Sequence, residues 1–127
     1  MRKIVIIKAL RPLASIAYQR RYIVGGTKDE YVLPDELLES AYSSIQPILT
    51  RPEVSSTFSE AELSCILKML RCLDREGDKL PSDGSISNED LVENNAAWAA
   101  IRSTAQQCLN VLGVNLSEWE EKMETED

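Results

Sequence analysis

Histidine is missing from all 127 residues. That gap removes the commonest general base, the commonest transition-metal ligand and imidazole activation of a serine or cysteine nucleophile. Hydrolases of the usual kind are excluded with it. Glycine is scarce, at five residues, and neither a G-x-G-x-x-G nor a P-loop spacing occurs. Gly25, Gly26, Thr27 and Lys28 therefore read as a turn rather than a phosphate cradle. No apolar run approaches the roughly 18 residues of a bilayer-crossing helix. Ile4, Val5, Ile6 and Ile7 imitate the start of a secretory signal, but Lys8 and Arg11 interrupt them, and we expect no signal peptide.

Acidic residues are absent from the first 22 positions, which carry Arg2, Lys3, Lys8, Arg11, Arg20 and Arg21. The remainder holds eight cations against all 21 acids, for a formal net charge of −7 over the chain. Such a partition speaks to partners and solubility rather than to fold. The basic opening has three readings: it lies along the acidic part of its own fold, contacts a partner, or touches an anionic membrane surface. Direct nucleic-acid binding is disfavoured, because most of the surface would repel a phosphate backbone.

Cysteine is also sparse. Cys65, Cys72 and Cys108 make an odd number, which argues against a disulfide framework and for reduced thiols in a cytoplasmic setting. Cys65 and Cys72 lie about 10 Å apart along one helix, too far for a disulfide or a shared metal. Buried apolar filler is the ordinary role for such residues.

What is present is helical punctuation. At 43% hydrophobic content, the chain is long enough to bury about two-thirds of its unfolded surface in one core. Ser59 and Glu62 form a capping box, with Phe58 and Leu63 placed as a hydrophobic staple. Leu63, Ile66, Leu67, Leu70 and Leu73 follow at helical spacing, and Gly77 supplies a stop. Cys65, Met69 and Cys72 widen the apolar arc, which makes this helix central. Glu60, Ser64, Lys68, Arg71 and Arg75 share its polar stripe.

Ser87 and Asp90, flanked by Ile86 and Leu91, repeat the capping grammar. The pattern predicts one helix to Leu112, closed by Gly113 and Val114, with Trp98 in the core. Asn94 falls inside that apolar arc and calls for a buried hydrogen-bond partner. Pro34, Asp35 and Glu36 open an earlier helix that Pro47 could kink and Pro52 ends. Residues 13–24 favour helix after Pro12, although they also alternate as a strand would. Asn115 and Glu118 form a further capping pair.

The expected architecture is a mainly α, single-domain bundle of four to five helices, with room for one short N-terminal strand over residues 4–7. Its parts are a basic segment (1–24), a loop (25–33), helices over 34–49, 59–76 and 87–112, and an acidic, partly disordered tail (118–127).

Residues 83–91 resemble the second half of an EF-hand calcium loop, with Asp83, Ser85, Ser87 and Asp90 as ligands around the turn glycine Gly84. With Gly84 so aligned, Lys79 and Pro81 occupy the first ligand positions and offer no side-chain oxygen. Turn plus helix cap is the competing account. No cofactor is expected, and no metal beyond this calcium alternative.

Two acidic clusters stand out, one at Asp29, Glu30, Asp35, Glu36 and Glu39 and one at the C-terminal end around Trp119 and Glu120. Each is by default a solvated face; functionally, it would steer the chain toward a basic protein partner. In size, charge and lack of catalytic groups the chain is similar to bacterial immunity proteins and antitoxins, without a shared motif. That similarity implies a small acidic, non-enzymatic module that occludes a basic partner. The Asp29–Glu39 group is the expected contact surface, with Trp119 and Glu120 as a secondary patch. The alternatives are a calcium-responsive module and a helical oligomer that dimerises through the Cys65, Met69 and Cys72 side.

Overall fold

The computed structural model describes residues 2–26, 30–81 and 84–125. Among these there are eight helices and no strand. The all-helical class agrees with the sequence, while the number of helices exceeds the four to five expected. They are α1 (Arg2–Ala14), α2 (Ile16–Gln19, continuing as a π turn over Arg20–Val24), α3 (Pro34–Leu49), α4 (Val54–Thr57), α5 (Glu60–Gly77), α6 (Asn88–Asn94), α7 (Ala96–Val111) and α8 (Leu116–Thr125).

Residues 4–7 are helical, not a strand. β-branched side chains resist helix by only a few tenths of a kcal/mol each. Burying Ile6, Leu10, Leu13 and Ala14, spaced as one helical face, outweighs that resistance. Pro12 stands in the last turn of α1 rather than opening a helix. There its missing N–H and ring disturb only the bond toward residue 8, just before the chain breaks at Ser15.

The expected 87–112 helix is two helices. Asn95 leaves helical backbone and its Oδ1 accepts from the Trp98 N–H at 2.9 Å, so it caps α7. The break also removes Asn94 from the apolar arc. It is exposed, and its Nδ2 donates to Asp90 Oδ1 at 3.0 Å.

The remaining boundaries follow local chemistry. Ser59 and Glu62 close a complete capping box on α5, with Phe58 buried ahead of it. Gly113 adopts φ +79°, and the N–H groups of Gly113 and Val114 donate to the carbonyls of Asn110 and Leu109. This is a Schellman motif, open to glycine without strain. Gly77, by contrast, is simply the last residue of α5. The C-terminal region, expected to be partly disordered, is helical through Thr125, with Asn115 Oδ1 accepting from the Glu118 N–H at 3.4 Å.

Helix α7 is the hub, packed mainly against α5 and α1; α3 covers α1 and α5, and α6 lies against the π turn. The pairing of Cys65 with Cys108 and of Cys72 with Ala100 makes α5 and α7 antiparallel. Met69 and Cys72 have no exposed surface and Trp98 only 1%. The side of α5 expected to form a homodimer contact is thus occupied by its own α7. Leu67, assigned to the core by its spacing, is 42% exposed.

Candidate functional site

Four of the six cations near the N-terminus contact other parts of the chain. Lys3 Nζ stands 3.1 Å from Glu62. Arg20 binds Glu93 through two hydrogen bonds, at 2.8 and 2.7 Å. Arg21 Nη1 donates to the Met123 carbonyl at 2.9 Å, at the electronegative end of α8. The guanidinium of Arg11 lies 5.9 Å from the Trp119 ring centroid. Lys3 and Arg20 of the basic segment therefore meet acids of the chain's own fold.

These contacts perturb the acids that receive them. Glu62 is held below the usual carboxylate range, first by the Ser59 backbone N–H and then by Lys3. Hydrogen bonds from Arg75 and Lys79 lower Glu76, and the hydrogen bond from Arg20 lowers Glu93. None of the three belongs to the acidic clusters singled out in the sequence.

Those clusters have separate fates. Asp35, Glu36 and Glu39 are exposed in the first turns of α3 and make no ion pair among the described residues. Glu30 is exposed just ahead of them, and Asp29 lies outside the described residues. Spacings of three and four residues put Asp35, Glu36 and Glu39 on adjoining parts of one helix face. Trp119 and Glu120 do not extend this surface. Trp119 stacks on Tyr18 at 5.7 Å between centroids, and the Glu120 carboxylate accepts from the Ser15 hydroxyl, so both hold α8 against α2.

A groove of about 190 Å³ opens beside the start of α3. Leu33, Leu80, Ile86 and Leu91 supply apolar walls, with Asp35 at its edge. Leu33 is 44% exposed and Tyr31 58%. Gly26 underlies this arrangement: the Val32 N–H donates to the Tyr22 carbonyl at 2.8 Å, and a Cβ on Gly26 would collide with Tyr31 and that carbonyl. The close approach of Gly26 to Tyr31 thus sets Tyr31 and Leu33 just ahead of α3.

Two of the residues proposed for calcium are already engaged in helix capping. Ser87 Oγ accepts from the Asp90 N–H, and Asp90 Oδ1 accepts from Asn94, so both are engaged in helix α6. Ser85 is exposed, and Asp83 lies outside the described residues. Among the described residues, no three cysteine or acidic side chains gather where a metal could be held.

Two constellations escaped the sequence. One is buried and polar, centred on Gln19. Its Nε2 donates to the carbonyls of Pro12 and Leu13, and its Oε1 accepts from Trp98 Nε1 and Arg102 Nη1, both at 3.0 Å. Gln106 Nε2 donates to the Ala14 carbonyl at 2.9 Å. The orphan carbonyls at the end of α1 are thereby satisfied by side chains. The other is the approach of Cys65 to Cys108 across α5 and α7, with sulfurs 3.0 Å apart. Only the spacing of Cys65 from Cys72 within one helix is readable from sequence. Matching Cys65 with Cys108 needs the register of two helices.

No helix among the described residues is long and apolar enough to cross a membrane. Comparison with known protein families, curated proteins and solved structures gives no match.

Proposed function

We propose that this chain is a non-enzymatic binding module that engages a basic protein through the first turns of α3, where an apolar groove meets an acidic rim. The observation carrying this reading is that Asp35, Glu36 and Glu39 remain exposed and unpaired among the described residues while Glu62 and Glu93 pair with Lys3 and Arg20. An apolar side chain of the partner would enter between Leu33, Leu80, Ile86 and Leu91, and flanking lysines or arginines would meet the acids. The apolar anchor supplies residence, and the charges supply encounter rate and selectivity. Occlusion of a cationic surface, in the manner of an immunity protein or antitoxin, is the biological role that fits this arrangement. Free thiols suit a reducing, cytoplasmic setting.

The test is an NMR titration of the full chain with a synthetic peptide that carries a leucine flanked by arginines. Amide shifts should concentrate in residues 31–39, 80 and 84–91, and the affinity should weaken as salt rises. Combined Asp35→Lys, Glu36→Lys and Glu39→Lys should lower affinity about tenfold or more. Shifts centred elsewhere, or binding unchanged in the triple variant, would overturn the proposal.

A further inference from the structure

Helices α5 and α7 bring two thiols together that stand 43 residues apart in sequence, Cys65 Sγ and Cys108 Sγ, at 3.0 Å. Cys65 is partly exposed and Cys108 is buried. Both line a groove of about 330 Å³ on the outside of the α5–α7 pair, together with Ser64, Lys68, Thr104 and Gln107. Cys72 is excluded from this arrangement: it is buried, and its sulfur approaches the Ala100 carbonyl at 3.8 Å.

We propose that Cys65 and Cys108 are a dithiol redox site that closes to an intramolecular disulfide at the expense of a low-molecular-weight disulfide of the glutathione type. The sulfurs need to approach by about 1 Å to reach bonding distance, a shift that side-chain rotation and small helix movements supply.

The chemistry runs in two exchanges. The Cys65 thiolate attacks one sulfur of the oxidised tripeptide, forming a mixed disulfide and releasing one tripeptide thiolate, which takes up the proton Cys65 lost. The Cys108 thiolate then attacks Cys65 Sγ. The Sγ–Sγ bond forms, the second tripeptide leaves as a thiolate and is protonated in turn. Two protein thiols lose two electrons and two protons, and one small disulfide gains them.

Exposure decides the order, because Cys65 is the sulfur that an oxidant in the groove can reach. Burial, above all, raises both thiols above their ordinary range, so the first exchange is slow. The second is intramolecular between neighbouring sulfurs and therefore fast relative to the first. The mixed disulfide should not accumulate.

The test incubates the reduced full-length chain with oxidised glutathione, quenches with acid, unfolds, alkylates, and measures intact mass and peptide cross-links. Support is a loss of two hydrogen masses, one alkylated cysteine instead of three, a 65–108 cross-link within one chain, and a melting temperature several degrees higher. Cys108→Ser should halt at a stable glutathione adduct on Cys65, whereas Cys72→Ser should still form the bridge. The proposal is overturned by a persistent adduct on Cys65 in the unaltered chain, by a bridge involving Cys72 or a second chain, or by three free thiols at the end of the incubation. Because the unaltered chain provides the primary readout, failure of a variant to fold does not remove the test.

Discussion

Helix α5 and the α1–α2 junction solve the same problem, unpaired backbone groups at a helix end, by different means. At the start of α5 the solution is local: Ser59 Oγ accepts from the Glu62 N–H, and Glu62 Oε1 accepts from the Ser59 N–H at 2.8 Å. At the end of α1 the solution is remote. Gln19 reaches back to the Pro12 and Leu13 carbonyls, and Gln106, 92 residues away, reaches the Ala14 carbonyl. Gln19 is itself held by Trp98 and Arg102. A local cap forms with its helix, whereas the remote one exists only after α7 has docked. The first region should therefore tolerate loss of its cap, and the second should not.

The widest separation between the two is expected at Gln19. Gln19→Leu keeps the bulk and removes the amide, which leaves two carbonyls, an indole N–H and part of a guanidinium without that partner in a site with no exposure. Stability should fall by about 3 to 5 kcal/mol, read from urea melts with unchanged slope. A loss below about 1 kcal/mol would erase the contrast. Ser59→Ala should cost only about 1 kcal/mol. A loss comparable to that at Gln19 would show that the start of α5 also depends on tertiary support.

The smallest effect concerns the long-range pair Arg20–Glu93, with side chains 57% and 30% exposed. A carboxyl whose pKa is lower folded than unfolded adds stability above the unfolded value and loses it as pH falls through the folded one. Glu62, Glu76 and Glu93 are all lowered. The melting temperature should therefore be flat near neutrality and decline through the acid side of the carboxylate range. Glu93→Gln should lower the neutral-pH value slightly and make that decline shallower, because an exposed pair contributes little. An unchanged acid-side profile would place the titration wholly on the other two acids.

Legibility followed the same division. The caps at Ser59 and Ser87, the proline entry at Pro34 and the glycine exit at Gly113 were all readable, because each is a contact within a few residues. Residues 4–7 are helix rather than the expected strand because burial along the period that joins Ile6, Leu10 and Leu13 outweighs β-branching. The break at Asn95 is absent from the expected 87–112 helix, because the apolar period runs on through it, while the cap that starts α7 is a single local bond from the Trp98 N–H to Asn95 Oδ1. The acidic residues of α3 could be named in advance. That they make no ion pair among the described residues depended on which carboxylates Lys3 and Arg20 reach.

By itself, then, the sequence determined the helical class, most helix boundaries, the core-facing periodicity and the segregation of charge, all set by forces acting over one or two turns. Tertiary structure alone decided how the broken end of α1 is satisfied, which two of three thiols meet, and which acids pair with Lys3 and Arg20. The physical reason is that hydrogen bonds, sulfur contacts and ion pairs between separate helices depend on relative position and register, and those come into being only when the core packs.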